Sequence, residues 1–224
     1  MDSRLWGILL EAFPQILLQG VKVTIPLTII SFALALVISV VVALIQYARV
    51  PVLTKLCRFY IWIIRGTPLL VQLYVVFYGL PSIGITLDAW VAAILVLSFN
   101  EGAYMAESVR GALESVPSGQ LEAGQCVGLS FVQIMWHIVL PQAFRVAFPS
   151  LSNSLIGMLK ETSLVTTITI TEMLRQAQII NARYYEALGL YVEVALIYLM
   201  FCTVLTWLQN VCEKKLAGYG GKVK

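Results

Sequence analysis

The chain has 224 residues, of which 59% are hydrophobic and 12% charged, and its formal net charge is +3. So little charge cannot clothe a soluble domain of this length, and so small a positive excess marks no nucleic-acid surface. Four cysteines without pair spacing (Cys57, Cys126, Cys202 and Cys212) and a single histidine, His137, give neither a disulfide framework nor a metal site, so no cofactor is expected in the chain itself. Repeated apolar runs of about twenty residues instead predict an all-α integral membrane protein with one membrane domain over 1–224.

Residues 4–19, RLWGILLEAFPQILLQ, set Leu5, Leu9, Ala12, Ile16 and Leu17 near one face. That spacing predicts a short amphipathic helix lying in the membrane interface, with Trp6 at a suitable depth. Asp2 and Glu11, and the lack of a basic run before a small-residue cleavage site, argue against a cleaved leader. The first span is expected over about 23–44, with Pro26 near its start where a missing N–H is tolerated. The second, about 59–78, contains Arg65-Gly66-Thr67-Pro68. Pro68 cannot donate to the Ile64 carbonyl, which predicts a bend whose free acceptor faces protein or water.

The third span, about 89–112, carries Asn100, Glu101, Tyr104 and Glu107. A loop of polar and small residues, 113–148, follows, with Pro117, Pro141 and Pro149 marking helix boundaries or bends. The fourth span, about 149–170, holds Lys160 and Glu161; residues 171–187 form a polar connection with helical character, and a fifth span covers about 188–208. Five spans put the termini on opposite sides of the bilayer. Basic residues outside the spans divide nine to four in favour of the side that carries the C-terminus and the 113–148 loop. The positive-inside rule therefore places both in the cytoplasm and the N-terminal segment, 1–20, outside.

Within the loop, Glu122, Ala123, Cys126 and Val127 fall at helical spacing, and Gly128 can stop that helix in the left-handed conformation. Phe131, Ile134, Met135, Ile138 and Val139 then space a second amphipathic helix ending near Pro141. Two short helices make a protruding knob that either fits a groove on another protein or lies on the membrane surface.

The run Glu122-Ala123-Gly124, three residues, Gly128, nine residues, then Ile138-Val139-Leu140-Pro141 resembles the "EAA" loop of bacterial ABC-importer permeases, departing from its pattern only at Gly124. Arg65-Gly66-Thr67-Pro68-Leu69-Leu70-Val71-Gln72-Leu73 and the stretch from Leu140 to Ser154 are similar to the polar amino acid permeases of that class, and among those to the cystine permeases. The resemblance implies a MetI-like permease fold with five transmembrane helices in a bacterial inner membrane. It also implies a second permease copy or a homologous permease, two ATPase subunits that bind ATP and Mg, and an extracytoplasmic amino acid-binding protein. Glu122, Ala123, Gly124, Gly128, Ile138, Leu140 and Pro141 would couple the permease to the ATPase. The implied cargo is L-cystine, with histidine, arginine and glutamine as alternatives. The chain has no Gly-x-x-x-x-Gly-Lys-Ser/Thr phosphate loop, so ATP hydrolysis belongs to a partner and the chain is not expected to be an enzyme.

Charged groups at membrane depth usually face a cavity or a protein partner. Ser150, Ser154, Gly157 and Glu161 form a small polar stripe on the fourth span; Lys160 points about 100° away. Asn100 and Tyr104 form a comparable stripe on the third span, and Arg65, Thr67 and Gln72 flank the bend of the second. These residues are the candidates for a substrate pathway, with Glu161 meeting an ammonium and Thr67 or Asn100 a carboxylate. Two other readings use the same residues: tight helix packing along the stripes, with Glu161 paired to Arg65 or Lys160, and an ion-coupled secondary transporter, which would also need buried carboxylates and lysines but usually shows paired repeats.

Overall fold

The computed structural model describes residues 3–218, and every regular element in them is helical. Among the described residues four helices are long and apolar enough to cross a membrane; a fifth crossing results if the broken pair Pro51–Gly66 and Leu69–Ile83 counts as one span. Much of the apolar surface faces outward: Ile29, Val37, Leu196, Leu199 and Trp207 are each more than half exposed. Lipid, not water, takes that surface.

The N-terminal segment is not a separate interfacial helix. α1 (Ser3–Gln19) continues through a wide turn (Gly20–Thr24) into α2 (Ile25–Tyr47), and the Ile25 N–H reaches back five residues to the Gly20 carbonyl. The expected apolar face is largely correct, since Ala12 and Ile16 are buried, but with Ile8 it packs on protein and not on headgroups. The second span breaks outright at extended backbone around Pro68 (ψ 138°), giving α3 (Pro51–Gly66) and α4 (Leu69–Tyr74), then a wide turn (Val75–Gly79) and a 3₁₀ turn (Leu80–Ile83). α5 (Ala89–Glu114) is the third span.

The loop supplies α6 (Ser118–Cys126) and α7 (Phe131–Ile134). Here the expected stop at Pro141 fails. α7 passes through a third wide turn (Met135–Val139) straight into α8 (Leu140–Glu161), which carries Pro141 in its first turn and Pro149 inside. A 3₁₀ helix (Thr162–Ile168), α9 (Met173–Tyr184) and α10 (Ala187–Gly218) complete the order. The three wide turns share one signature: each ends two residues before a proline, at Pro26, Pro81 and Pro141. A ring without an N–H cannot satisfy the carbonyl one turn back and crowds it; a turn holding an additional residue moves that carbonyl aside and lets the helix continue.

The chain divides into two compact units. The first comprises residues up to Ala33, Thr67–Ser98 and Leu155–Trp207. In it Ile8, Ala12 and Ile16 of α1 pack on Met173, Ala177 and Ile180 of α9 and on Leu190, Val194 and Ile197 of α10. Leu27, Leu73, Ala92, Ala93, Val96 and Leu97 close a second core with Val165, Ile168 and Ile170. Small residues recur because helices in lipid gain from close van der Waals approach, not from escape from water. Gly20 shows the limit: a Cβ there would lie 2.7 Å from both the Met173 Sδ and the Phe201 ring. Gly20→Val is expected to destabilise the permease by about 1–3 kcal/mol through overpacking, read as a lower melting temperature in detergent.

The second unit comprises Leu34–Gly66, Phe99–Ser154 and residues from Leu208. Val42, Cys57, Ile61, Ala103 and Ala106 form its core, and the Tyr60 hydroxyl donates to the Phe99 carbonyl at 2.6 Å.

Candidate functional site

Two features invite a functional reading: the knob formed by α6 and α7, and the polar groups within the spans. At the knob, Gly128 has φ +81° and ends α6 with a pair of reversed hydrogen bonds, its own N–H donating to the Gln125 carbonyl (2.9 Å) and that of Leu129 to the Gly124 carbonyl (3.0 Å). This is the Schellman closure, and it needs a left-handed residue where Gly128 stands. Two residues on, Ser130 starts α7 with a reciprocal cap: its hydroxyl accepts from the Gln133 N–H at 3.3 Å while the Gln133 side chain accepts from the Ser130 N–H at 2.8 Å. A stop and a start with one residue between them fix the angle of the two helices.

Gly124 is buried where they meet. A Cβ at this position would approach the Ile134 side chain to 2.9 Å and that of Ile138 to 3.2 Å, so the one departure from the EAA pattern coincides with a close helix contact. Ile134, Met135 and Val139 are buried and Ile138 half-buried, as their spacing anticipates, but Phe131 is exposed. With Val127, Val132 and Trp136 it forms an apolar outer surface, each of the four more than half exposed. Helical spacing picked out Val127 and Phe131 without assigning them to an outward face, and passed over Val132 and Trp136. Glu122 and Ala123 are also exposed. Gln142 ties the base of the knob, donating to the Gln120 side chain at 2.6 Å and to the Ile138 carbonyl at 2.8 Å; Leu140 and Pro141 lie in this first turn of α8.

The intramembrane candidates separate between the two units: Thr67, Gln72 and Glu161 belong to the first, and Arg65, Asn100 and Tyr104 to the second. In the first, the Gln72 amide donates to both the Thr67 hydroxyl (2.8 Å) and the Thr67 carbonyl (3.1 Å), so the break beside Pro68 is closed by its own side chains. Glu161 is half-buried at the end of α8, and among the described residues no ion pair holds it. In the second, the Arg65 guanidinium sits over the Tyr104 ring, 5.1 Å from its centroid, and Asn100 is buried beside the equally buried Glu101. Ser150 donates to the Ser108 hydroxyl at 2.9 Å, so that member of the polar stripe serves helix packing. Glu107 is held by Arg110, which also binds Glu114, both at 2.8 Å.

One buried carboxylate escaped sequence reading altogether. Glu172, fully buried, caps α9 by accepting from the Arg175 N–H (2.9 Å) and accepts from the Tyr198 hydroxyl at 2.6 Å. Its only sequence signal is a carboxylate just before a helical run.

Residues 35–218 match the family model of the binding-protein-dependent transport system inner membrane component. The chain is 41% identical over 218 residues to the L-cystine transport system permease protein TcyB of Bacillus subtilis, covering 97% of this chain and 93% of that one. It is 32% identical to the arginine transport system permease protein ArtQ of Bacillus subtilis, covering 91% and 94%. A solved amino acid ABC transporter, crystallised with histidines, superimposes with a TM-score of 0.84 at 30% identity, covering 91% of this chain and 95% of its counterpart.

Proposed function

Because the chain belongs to the family of inner membrane components of binding-protein-dependent transport systems, and is the permease of an amino acid ABC importer, we propose that its cargo is L-cystine. The observation that carries this is the 41% identity, over nearly the whole of both chains, to a cystine permease. Arginine or histidine is the second reading, motivated by the arginine permease relative and the neighbour solved with histidines; glutamine stands behind them.

We place the whole chain in one permease domain, with the C-terminus and residues 113–148 in the cytoplasm and the N-terminus outside. Two such permeases, identical or homologous, would share two ATPase subunits holding ATP and Mg, and a binding protein would deliver the amino acid from outside. The knob is suited to an ATPase cleft: an apolar surface (Val127, Phe131, Val132, Trp136) on two helices with a fixed mutual angle transmits a push instead of absorbing it. Glu122, Ala123, Gly124, Gly128, Ile138, Leu140 and Pro141 build or support that surface. ATP-driven closure of the partners would then shift the spans between inward-facing and outward-facing states, a coupling of two sites through a bistable element.

For the pathway we assign Glu161 to the ammonium side of the substrate, with Thr67 and Gln72 as further polar contacts in the same unit; Arg65, Asn100 and Tyr104 are the candidates that the second unit offers by itself. An unpaired intramembrane carboxylate is costly unless something cationic visits it. Proteoliposomes holding the permease, its ATPase and its binding protein test the reading. Labelled cystine uptake should require ATP and binding protein, persist when the proton gradient is dissipated, and resist competition by arginine, histidine or glutamine. Glu161→Gln should weaken it about tenfold. Uptake that collapses with the proton gradient would favour an ion-coupled secondary transporter; preferential competition by arginine or histidine would reassign the cargo.

A further inference from the structure

The turn between α2 and α3 opens a cleft of about 810 Å³, entirely within the second unit, lined by Arg49, Lys55, Arg58, Trp62 and Arg65 on one side and by Glu107, Arg110 and Glu114 on the other. Its two acids are engaged, both bound to Arg110. Arg65 lies on the Tyr104 ring. That leaves Arg49, Lys55 and Arg58, all exposed, and among the described residues no ion pair engages any of them. Three cations converge on a cavity whose carboxylates are already spent.

The rest of α3 indicates what shape of anion fits. Lys55, Arg58 and Trp62 share one face of the helix. The face about 100° further round carries Val52, Leu56, Phe59 and Ile63, which are 70%, 58%, 58% and 40% exposed. The third face, with Cys57 and Ile61, is buried in the core of the unit. A basic cleft at the end of a span, continuous along one helix with an open apolar face and with Trp62 (70% exposed) beside it, matches a molecule that has an anionic head and an acyl tail. A free phosphate would leave the apolar face unused.

We propose that this cleft is a binding site for the phosphate headgroup of an anionic phospholipid, held by Arg49, Lys55 and Arg58 with its acyl chains against Val52, Leu56 and Phe59. The leaflet, though not the site, rests on the orientation proposed above. α5, which forms the back of the cleft, ends at Glu114 four residues before α6 begins, so a lipid seated there lies next to the start of the knob.

Native mass spectrometry of the full-length permease, released from detergent after incubation with phosphatidylglycerol or phosphatidylcholine, tests this. Phosphatidylglycerol should be retained in preference, and each of Arg49→Gln, Lys55→Gln and Arg58→Gln should weaken retention about fivefold, since one interfacial cation is worth about that factor. Arg58→Lys should keep most of it, and Lys214→Gln with Lys215→Gln, outside the cleft, should leave it unchanged. Equal losses from the Lys214 and Lys215 changes would reduce the effect to diffuse surface charge and overturn the site. Displacement by millimolar inorganic phosphate would identify a free anion and overturn the lipid. Because the readout is lipid mass and not uptake, retention can fail while cystine transport stands, or the reverse.

Discussion

Gly128→Val is expected to cut ATP-driven amino acid uptake at least about tenfold while leaving the amount of permease in the membrane nearly unchanged. The Gly128 backbone sits at φ +81°, where a residue bearing a Cβ costs about 1–2 kcal/mol and a β-branched one more. Valine there forces the backbone out of the left-handed region and breaks the two reversed hydrogen bonds from Gly128 and Leu129. α6 and α7 then lose their fixed angle, although no span is touched. Gly128→Asn, which tolerates the left-handed region, should retain most of the activity. The check is uptake per permease in vesicles, alongside ATP hydrolysis stimulated by the binding protein. Wild-type uptake by Gly128→Val would remove the knob from the proposed coupling path.

Glu172→Ala is expected to lower the stability of the permease by about 2–3 kcal/mol, the sum for losing a helix cap and a buried hydrogen bond to a charged group. It leaves the Tyr198 hydroxyl and the first turn of α9 without an acceptor. Tyr198→Phe, which removes one donor, should cost about 1 kcal/mol. The pH dependence is the sharper test. Burial pushes the Glu172 carboxyl above its ordinary 4.5, only partly offset by the Tyr198 hydroxyl and the backbone N–H groups of Leu174, Arg175 and Met173. A raised value in the folded state means that the folded chain holds the proton more tightly than the unfolded one. The associated stability is full below 4.5 and is lost as the pH rises through the raised value. The melting-temperature advantage of wild type over Glu172→Gln should therefore shrink as the pH rises above 4.5 and through the raised value; an advantage that grows with pH would contradict the assignment.

What could be read from the sequence follows from which physical demands are local. Lipid requires long apolar runs wherever the chain crosses, so the third and fifth spans were legible to within a few residues at their starts. A left-handed helix stop is a property of one residue, so Gly128 was legible too. Three other features depend on partners distant in sequence or on a departure from regular geometry. Glu172 acquires its role from Tyr198, 26 residues on. Arg49, Lys55 and Arg58 were visible only as a topology signal until Glu107, Arg110 and Glu114 closed the other wall of the cleft. Pro141 was expected to end a helix, as a proline in a helix of uniform pitch would, but the turn at Met135–Val139 is not of uniform pitch.

That turn also resets the helical phase. An additional residue rotates every side chain beyond it by about 100° relative to a helix of constant pitch. A single wheel drawn from Phe131 to Glu161 therefore assigns wrong neighbours on one side of Val139, and residue pairs four apart that straddle the turn do not stack. The same holds across Gly20–Thr24 and Val75–Gly79. For anyone labelling these helices with paired probes, the prolines at 26, 81 and 141 mark where the numbering must slip by one, and deleting a single residue from the wide turn at Gly20–Thr24 or Met135–Val139, with its proline replaced by alanine, should restore a regular helix while turning its two halves out of register.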